Sequence, residues 1–227
     1  MVTESLSTSA IKEESTSRRN SLNSLINQYG ILPAAWLIIR YVLRKILRID
    51  WQRTILFERL LADPIQEVVP KIKVNIERAT VEDLEKLKGM VDEAKYNRFR
   101  QRFDRGNICF VARDGDKIAA FSWISFDREF EVESQIEIKL NYKEAYGFDT
   151  YVEPEYRNNR LQSAMEPTIL KYLRSQGYEK MIGLVDKNNI YALKGLLSAG
   201  NKPKRIATLI RIFDWKIQWW QKYADNL

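Results

Sequence analysis

The sequence predicts an α/β fold in which a mixed sheet is flanked by helices, and three observations carry that expectation. From about residue 72 to residue 213, apolar periodicity alternates between two and 3.6 in the order β-α-β-β-β-α-β-α-β. A chain of 227 residues with 45% apolar content fits one domain plus appendages around a sizeable core. The nine glycines form neither a G-x-G-x-x-G nor a G-x-x-x-x-G-K-[ST] pattern, which argues against dinucleotide-binding and P-loop folds.

Taken in order, residues 1–24 are rich in Ser and Thr and poor in apolar groups, and read as a disordered tail. Residues 25–62 read as a basic amphipathic helical segment. On a helical wheel of Tyr29 to Ile49, Arg40, Arg44, Lys45 and Arg48 share one arc, and Ile38, Ile39, Val42, Leu43, Ile46, Leu47 and Ile49 are placed in the opposite one. Its uninterrupted apolar run ends at Arg40, short of the roughly 20 residues that span a bilayer. Two readings stand for it: a helix lying on an anionic membrane surface, or one packed on the following domain. Arg53 to Leu61 is expected to continue helically, and residues 63–71, with Pro64 and Pro70, form a linker.

Residues 72–213 form the folded domain. Ile72 to Ile76 alternates as a strand, and Thr80-Val-Glu-Asp83 is a capping box opening a helix that buries Leu84 and Leu87. Asp114-Gly115-Asp116 joins strands Ile108–Ala112 and Lys117–Ile124 as a hairpin. Glu137 to Tyr142 reads as a strand or a loop. Ala145–Val152 is a strand, Ser163 to Gln176 a helix stopped by Gly177, and Met181–Val185 a strand. Ile190–Ser198 is a helix stopped by Gly200, and Arg205 to Phe213 a strand. Residues 214–227 are an aromatic tail.

Composition excludes several chemistries. The chain has no histidine and one cysteine, so Ser-His-Asp and Cys-His nucleophile systems, histidine-ligated zinc and an intrachain disulfide are ruled out. Cys109 lies in an apolar strand and reads as a structural thiol in a reduced, cytoplasmic protein. The formal charge of +7 points to an anionic partner. No strand interleaves basic and aromatic residues, which argues against nucleic acid.

Tyr151 to Met165, Y-V-E-P-E-Y-R-N-N-R-L-Q-S-A-M, passes from a strand end through a basic loop to a helix start, where free N–H groups suit a phosphorylated ligand. This stretch resembles the pyrophosphate loop of the GNAT N-acetyltransferase superfamily, V-x-P-x-[YW]-R-x-x-G-x-G/A. Val152, Pro154, Tyr156 and Arg157 match, whereas Arg160 and Gln162 stand in the glycine places. Asn189, Ala192 and Gly200 similarly match the family's N-x-x-A-x-x-x-Y-x-x-x-G-F, with Leu196 and Asn201 at the Tyr and Phe places. Asn189 reads equally well as a helix N-cap.

The resemblance implies a splayed central sheet whose two parallel strands, Ala145–Val152 and Met181–Val185, part around acetyl-CoA. It further implies cofactor contacts from Tyr151, Val152, Arg157, Asn158, Asn159, Arg160, Leu161, Gln162, Ser163 and Asn189, with no metal. With histidine absent, the base for an amine must be a carboxylate, acting directly or through water: Asp149 first, with Glu153 and Glu137 weaker candidates. Leu196 removes the family's general acid, for which Tyr151 and Tyr191 are substitutes. The leading expectation is a cytoplasmic acyltransferase moving acetyl from acetyl-CoA to an amine of an unidentified acceptor, held at the inner face of the membrane by Tyr29 to Ile49. The alternatives are a non-catalytic GNAT module that binds CoA or an anionic partner, and a non-enzymatic protein that binds membrane or nucleic acid.

Overall fold

The computed structural model describes Ala35, Trp36, Ile39 and residues 49–127, 129–131, 136–213 and 215–224. The expectations for residues 1–24 and most of 25–48 lie outside these, although Ala35, Trp36 and Ile39 are helical. The elements are β1 Ile49–Leu60, β2 Asn75–Arg78, α1 Leu84–Lys88, α2 Glu93–Asp104, β3 Ile108–Asp114, β4 Lys117–Ser125, β5 Glu129–Glu131, β6 Ile136–Ile138, β7 Glu144–Val152, α3 Leu161–Ser175, β8 Lys180–Asp186, α4 Ile190–Ser198, β9 Lys202–Ile212 and β10 Trp215–Lys222.

The chain divides into two compact units. The smaller holds the described residues up to Ile55, together with Val185–Lys194 and Ile206–Lys222. The larger holds Leu56–Leu184, Gly195–Arg205 and the residues from Tyr223 on. Strands β1, β8 and β9 run through both.

In the larger unit, hydrogen-bonded neighbours run β1-β8-β7-β4-β3-β2. The pairs β2–β3, β3–β4 and β4–β7 are antiparallel and β7–β8 is parallel, which makes the sheet mixed as expected. Period-two alternation sends successive side chains of each strand to opposite faces. Phe110, Ala112, Ala120 and Ile124 therefore pack with Leu161, Met165, Ile169 and Leu173 of α3. Phe121 and Trp123 turn the other way and meet Phe99 of α2 at ring-centroid distances of 5.2 and 5.1 Å. The β3–β4 connection takes its left-handed residue from Gly115, at φ +57°. At α1, the Thr80 N–H donates to Asp83 Oδ2 at 2.8 Å, and Leu84 and Leu87 are buried as the capping box predicted.

In the smaller unit the order is β10-β9-β1-β8, and two residues join β9 to β10.

Several expectations are corrected. Arg53 to Leu61 is not helical: β1 occupies Ile49–Leu60, so the helical segment drawn over residues 25–62 ends before Ile49. Its β-branched and aromatic residues suit a pleated surface, and pairing with β8 decides the matter. Within the larger unit Leu61 N–H donates to Glu179 O at 2.9 Å, and within the smaller Lys187 N–H donates to Arg53 O at 2.9 Å. The aromatic residues taken as a tail from 214 form strand β10. The first domain strand lies at Asn75–Arg78 rather than Ile72–Ile76. Glu137 to Tyr142, read as a strand or a loop, is both: Ile136–Ile138 forms β6, paired with β5, and the residues after it are loop. Helix α2 was not anticipated.

Candidate functional site

Two interruptions of the ladder shape the end of β7. On the β4 side, Trp123 opposes Phe148 but Phe121 opposes Tyr151, so Asp149 and Thr150 share the single partner Ser122. That is a β-bulge, and Asp149 takes a left-handed φ of +47° within it. On the other side, parallel pairing with β8 runs from Glu144↔Lys180 to Gly147↔Gly183 and stops there, while β7 continues to Val152. The last pair is glycine against glycine. A Cβ on Gly147 would stand 3.3 Å from Met181 Sδ.

Asp149 faces α2. Its Oδ1 lies 2.6 Å from Lys95 Nζ and its Oδ2 2.6 Å from Arg102 Nη1. The Arg102 guanidinium in turn sits over the Phe148 ring, 4.5 Å from its centroid. Both oxygens of the first-choice base thus receive cationic donors, and the carboxylate ties α2 to the bulge. Glu153, the second candidate, follows β7 directly. Its N–H donates to Ala119 O at 3.0 Å and its Oε2 accepts from the Tyr151 hydroxyl at 3.4 Å. Burial, reinforced by the Glu153 charge, raises the Tyr151 phenol above its usual range, with Arg157 opposing.

From Glu153 a 3₁₀ turn over Pro154–Tyr156 leads to Arg157, whose Nε donates to Val152 O at 3.3 Å. Asn159 braces the loop: its Nδ2 donates to Tyr156 O at 3.1 Å, and its carbonyl accepts from the Lys71 N–H at 3.0 Å. Asn158 and Arg160 both have positive φ, +66° and +61°. Arg160 therefore takes, with a side chain attached, the left-handed conformation for which glycine is the usual choice. Helix α3 begins at Leu161, two residues earlier than expected, and no side chain caps it. Its first ladder bond is Ala164 N–H to Arg160 O at 2.9 Å, so the N–H groups of Leu161, Gln162 and Ser163 point out of the helix start. Gln162 is exposed on the first turn and does not fill the core behind the loop. Loop, helix dipole and the two arginines bring free N–H donors and positive charge to one end of α3.

Asn189 belongs to the smaller unit. Its Oδ1 accepts from the Ala192 N–H at 3.1 Å, so it caps α4. Asn201, at the family's Phe place, is buried and donates through Nδ2 to Glu166 at 2.7 Å. Tyr191 is exposed in the smaller unit. Cys109 is buried and free, its thiol pushed far up first by burial and then by the charge of Asp149. Among the described residues no group of acids and thiols could hold a metal ion. Lys95 and Arg102 were missed by sequence reasoning, since nothing in the sequence links Arg102 to a carboxylate 47 positions later.

The sequence model of the Acetyltransferase (GNAT) family matches residues 76–195. No curated protein sequence matches the chain. Among solved structures it is similar to a GCN5-related N-acetyltransferase from Sphaerobacter thermophilus, at 10% identity and a TM-score of 0.54, covering 82% of this chain and 57% of that one. It is similar to a GNAT-family acetyltransferase from Colwellia psychrerythraea at 15% identity and a TM-score of 0.52, covering 72% and 57%. A GNAT-family acetyltransferase from Novosphingobium aromaticivorans aligns at 13% identity and a TM-score of 0.51, covering 77% and 66%. The chain thus spans less than two thirds of the length of each, and the likeness speaks for the fold. The family match covers more than half of the chain and takes in the bulge, the parting strands and the loop at the start of α3: the chain belongs to the acetyltransferase (GNAT) family.

Proposed function

We propose that this chain is an acyltransferase that takes acetyl from acetyl-CoA and delivers it to an amine of an acceptor yet to be identified. The observation that supports it most is the uncapped start of α3, reached from the end of β7 through a loop carrying Arg157 and Arg160. The residues present fit the pyrophosphate: Arg160 at φ +61° keeps the backbone path that glycine gives, and the N–H groups of Leu161 to Ser163 remain available. Tyr151 and Val152 would flank the pantetheine arm where β7 has left β8. Acetyl-CoA, when bound, supplies the thioester. The chain supplies orientation and removal of the amine proton.

Glu153 is assigned the base role ahead of Asp149, because both Asp149 oxygens are engaged by Lys95 and Arg102. Tyr151, hydrogen-bonded to Glu153, is the candidate to protonate the leaving thiolate. Glu153→Gln should therefore lower kcat by about 10²-fold with acetyl-CoA affinity retained. Asp149→Asn should act mainly on stability.

The reading includes attachment to an anionic membrane surface from the cytoplasmic side, supported by the separated basic and apolar arcs of Tyr29 to Ile49 and by the exposure of Trp36 and Ile39. Among the described residues no helix is long and apolar enough to cross a membrane.

Thermal melts with and without acetyl-CoA test the donor assignment. Ligand at 100 times its Kd should add roughly 2.7 kcal/mol of stability. Arg157→Ala should shrink that shift, while Arg113→Ala, a residue of β3, should leave it in place. No shift at millimolar acetyl-CoA would sink the enzyme reading. A shift without turnover on any amine would favour a CoA-binding module that does not catalyse.

A further inference from the structure

Fifteen large apolar side chains are exposed among the described residues, and ten of them lie in the smaller unit. The densest set is on the β9–β10 hairpin. Two residues separate β9 from β10, and the first, Phe213, has φ +54°, so Ile212 stands opposite Trp215 and Ile210 opposite Ile217. Period two then puts Trp215, Ile217 and Trp219 on one face beside Ile210 and Ile212. Trp215 is 79% exposed, Ile217 58% and Trp219 41%. Such a contiguous apolar face on a terminal strand marks an interaction surface.

Charge decides what kind. Among the smaller unit's described residues stand Arg53, Lys187, Lys194, Arg211, Lys216 and Lys222 against Asp50 and Asp186, and counting Asp214 from the sequence brings the acids to three. Arg40, Arg44, Lys45 and Arg48 precede β1 in the sequence. A second copy of the chain would bring like charges together, which costs free energy. An anionic bilayer gains on both counts, because tryptophan favours the boundary between headgroups and acyl chains, and the unit's excess of bases, with Arg211, Lys216 and Lys222 at the alternate positions of the hairpin, attracts an anionic surface over about a Debye length.

We propose that the β9–β10 hairpin inserts Trp215, Ile217 and Trp219 into the interface of an anionic bilayer, as a second attachment beside Tyr29 to Ile49. This deepens the membrane reading given above and rests on it. Cys109 is buried, so Ile217→Cys creates the one accessible thiol among the described residues, to which an environment-sensitive dye can be attached.

With full-length protein and vesicles of phosphatidylglycerol and phosphatidylcholine, the dye should shift to the blue and be quenched by acyl-brominated lipid. Pure phosphatidylcholine should give neither response. The triple variant Trp215→Ser, Ile217→Ser, Trp219→Ser should partition at least tenfold more weakly while keeping the wild-type circular dichroism spectrum. Protein that sediments with the vesicles while the dye stays silent would overturn the hairpin contact and leave Tyr29 to Ile49 as sole anchor. Protein that stays in the supernatant with both lipids removes the membrane reading and this inference together. A dye response that needs only protein concentration, with a matching dimer in ultracentrifugation, would assign the face to a second copy and overturn the lipid assignment.

Discussion

Glu166 is carried inward by α3 and accepts its hydrogen bond from Asn201 Nδ2 at 2.7 Å. Burial raises its carboxyl above the usual range, with the Asn201 bond and the Arg59 charge pulling the other way. The folded chain therefore keeps this proton to a higher pH than the unfolded chain does. Between the ordinary value of 4.5 and the raised one, the native state binds more protons and stability falls as pH rises. Glu166→Gln preserves the acceptor and removes the ionisation. In urea melts the variant should exceed wild type at pH 7 and lose the downward slope above pH 4.5. Gly200 offers a second test. It sits at φ +85°, and a Cβ there would stand 2.7 Å from Nη1 of Arg59, whose Nη1 donates to the Gly200 carbonyl. Gly200→Ala should cost about 1–3 kcal/mol, read as a lower urea midpoint.

Among the elements, α2 and β1 are the ones the sequence concealed, for opposite reasons. Helix α2 has a narrow apolar face, with Phe99 its one buried aromatic, and much of its anchorage is ionic. Charges that pair across 47 positions leave no local period. Strand β1 follows a basic amphipathic run, and its residues Ile55, Leu56 and Phe57 extend an apolar pattern that period alone cannot divide into helix and strand. The hairpin at Gly115, the capping box at Thr80 and the stops at Gly177 and Gly200 were legible because each depends on a local conformation only certain residues take. In the site, the loop from Val152 to Ser163 was legible from its Val152, Pro154, Tyr156 and Arg157 pattern, although Arg160 takes the left-handed place of a glycine and α3 starts two residues earlier than expected. The bulge was not, since Asp149 reaches φ +47° under the pull of partners on another element. Arg102→Met tests that pull: it leaves the half-buried Asp149 with Lys95 alone, and should cost about 1–2 kcal/mol. Arg102→Lys should recover part of the loss.

For the molecule as a whole, the family match begins at residue 76, but the fold does not. Leu61 and most of β1 between Ile55 and Phe57 are buried, and Lys180 on β8 lies 2.8 Å from Glu58 on β1 and 2.7 Å from Glu144 on β7. Deleting residues 1–62 should therefore yield insoluble protein, whereas deleting residues 1–48 should leave a cooperative melt and an unchanged response to acetyl-CoA. Soluble yield and circular dichroism separate the two. The parting of β7 from β8 has one more consequence, on the timescale of hours. Glu153 N–H is bonded to Ala119 O, and Tyr151 and Val152 stand opposite Phe121 and Ala120, so the Val152 amide points away from β4, to the side where its own carbonyl is taken by Arg157. In deuterated buffer the Val152 amide should lose its proton well before its neighbours Tyr151 and Glu153, and ligand in the gap should slow that single site most of all.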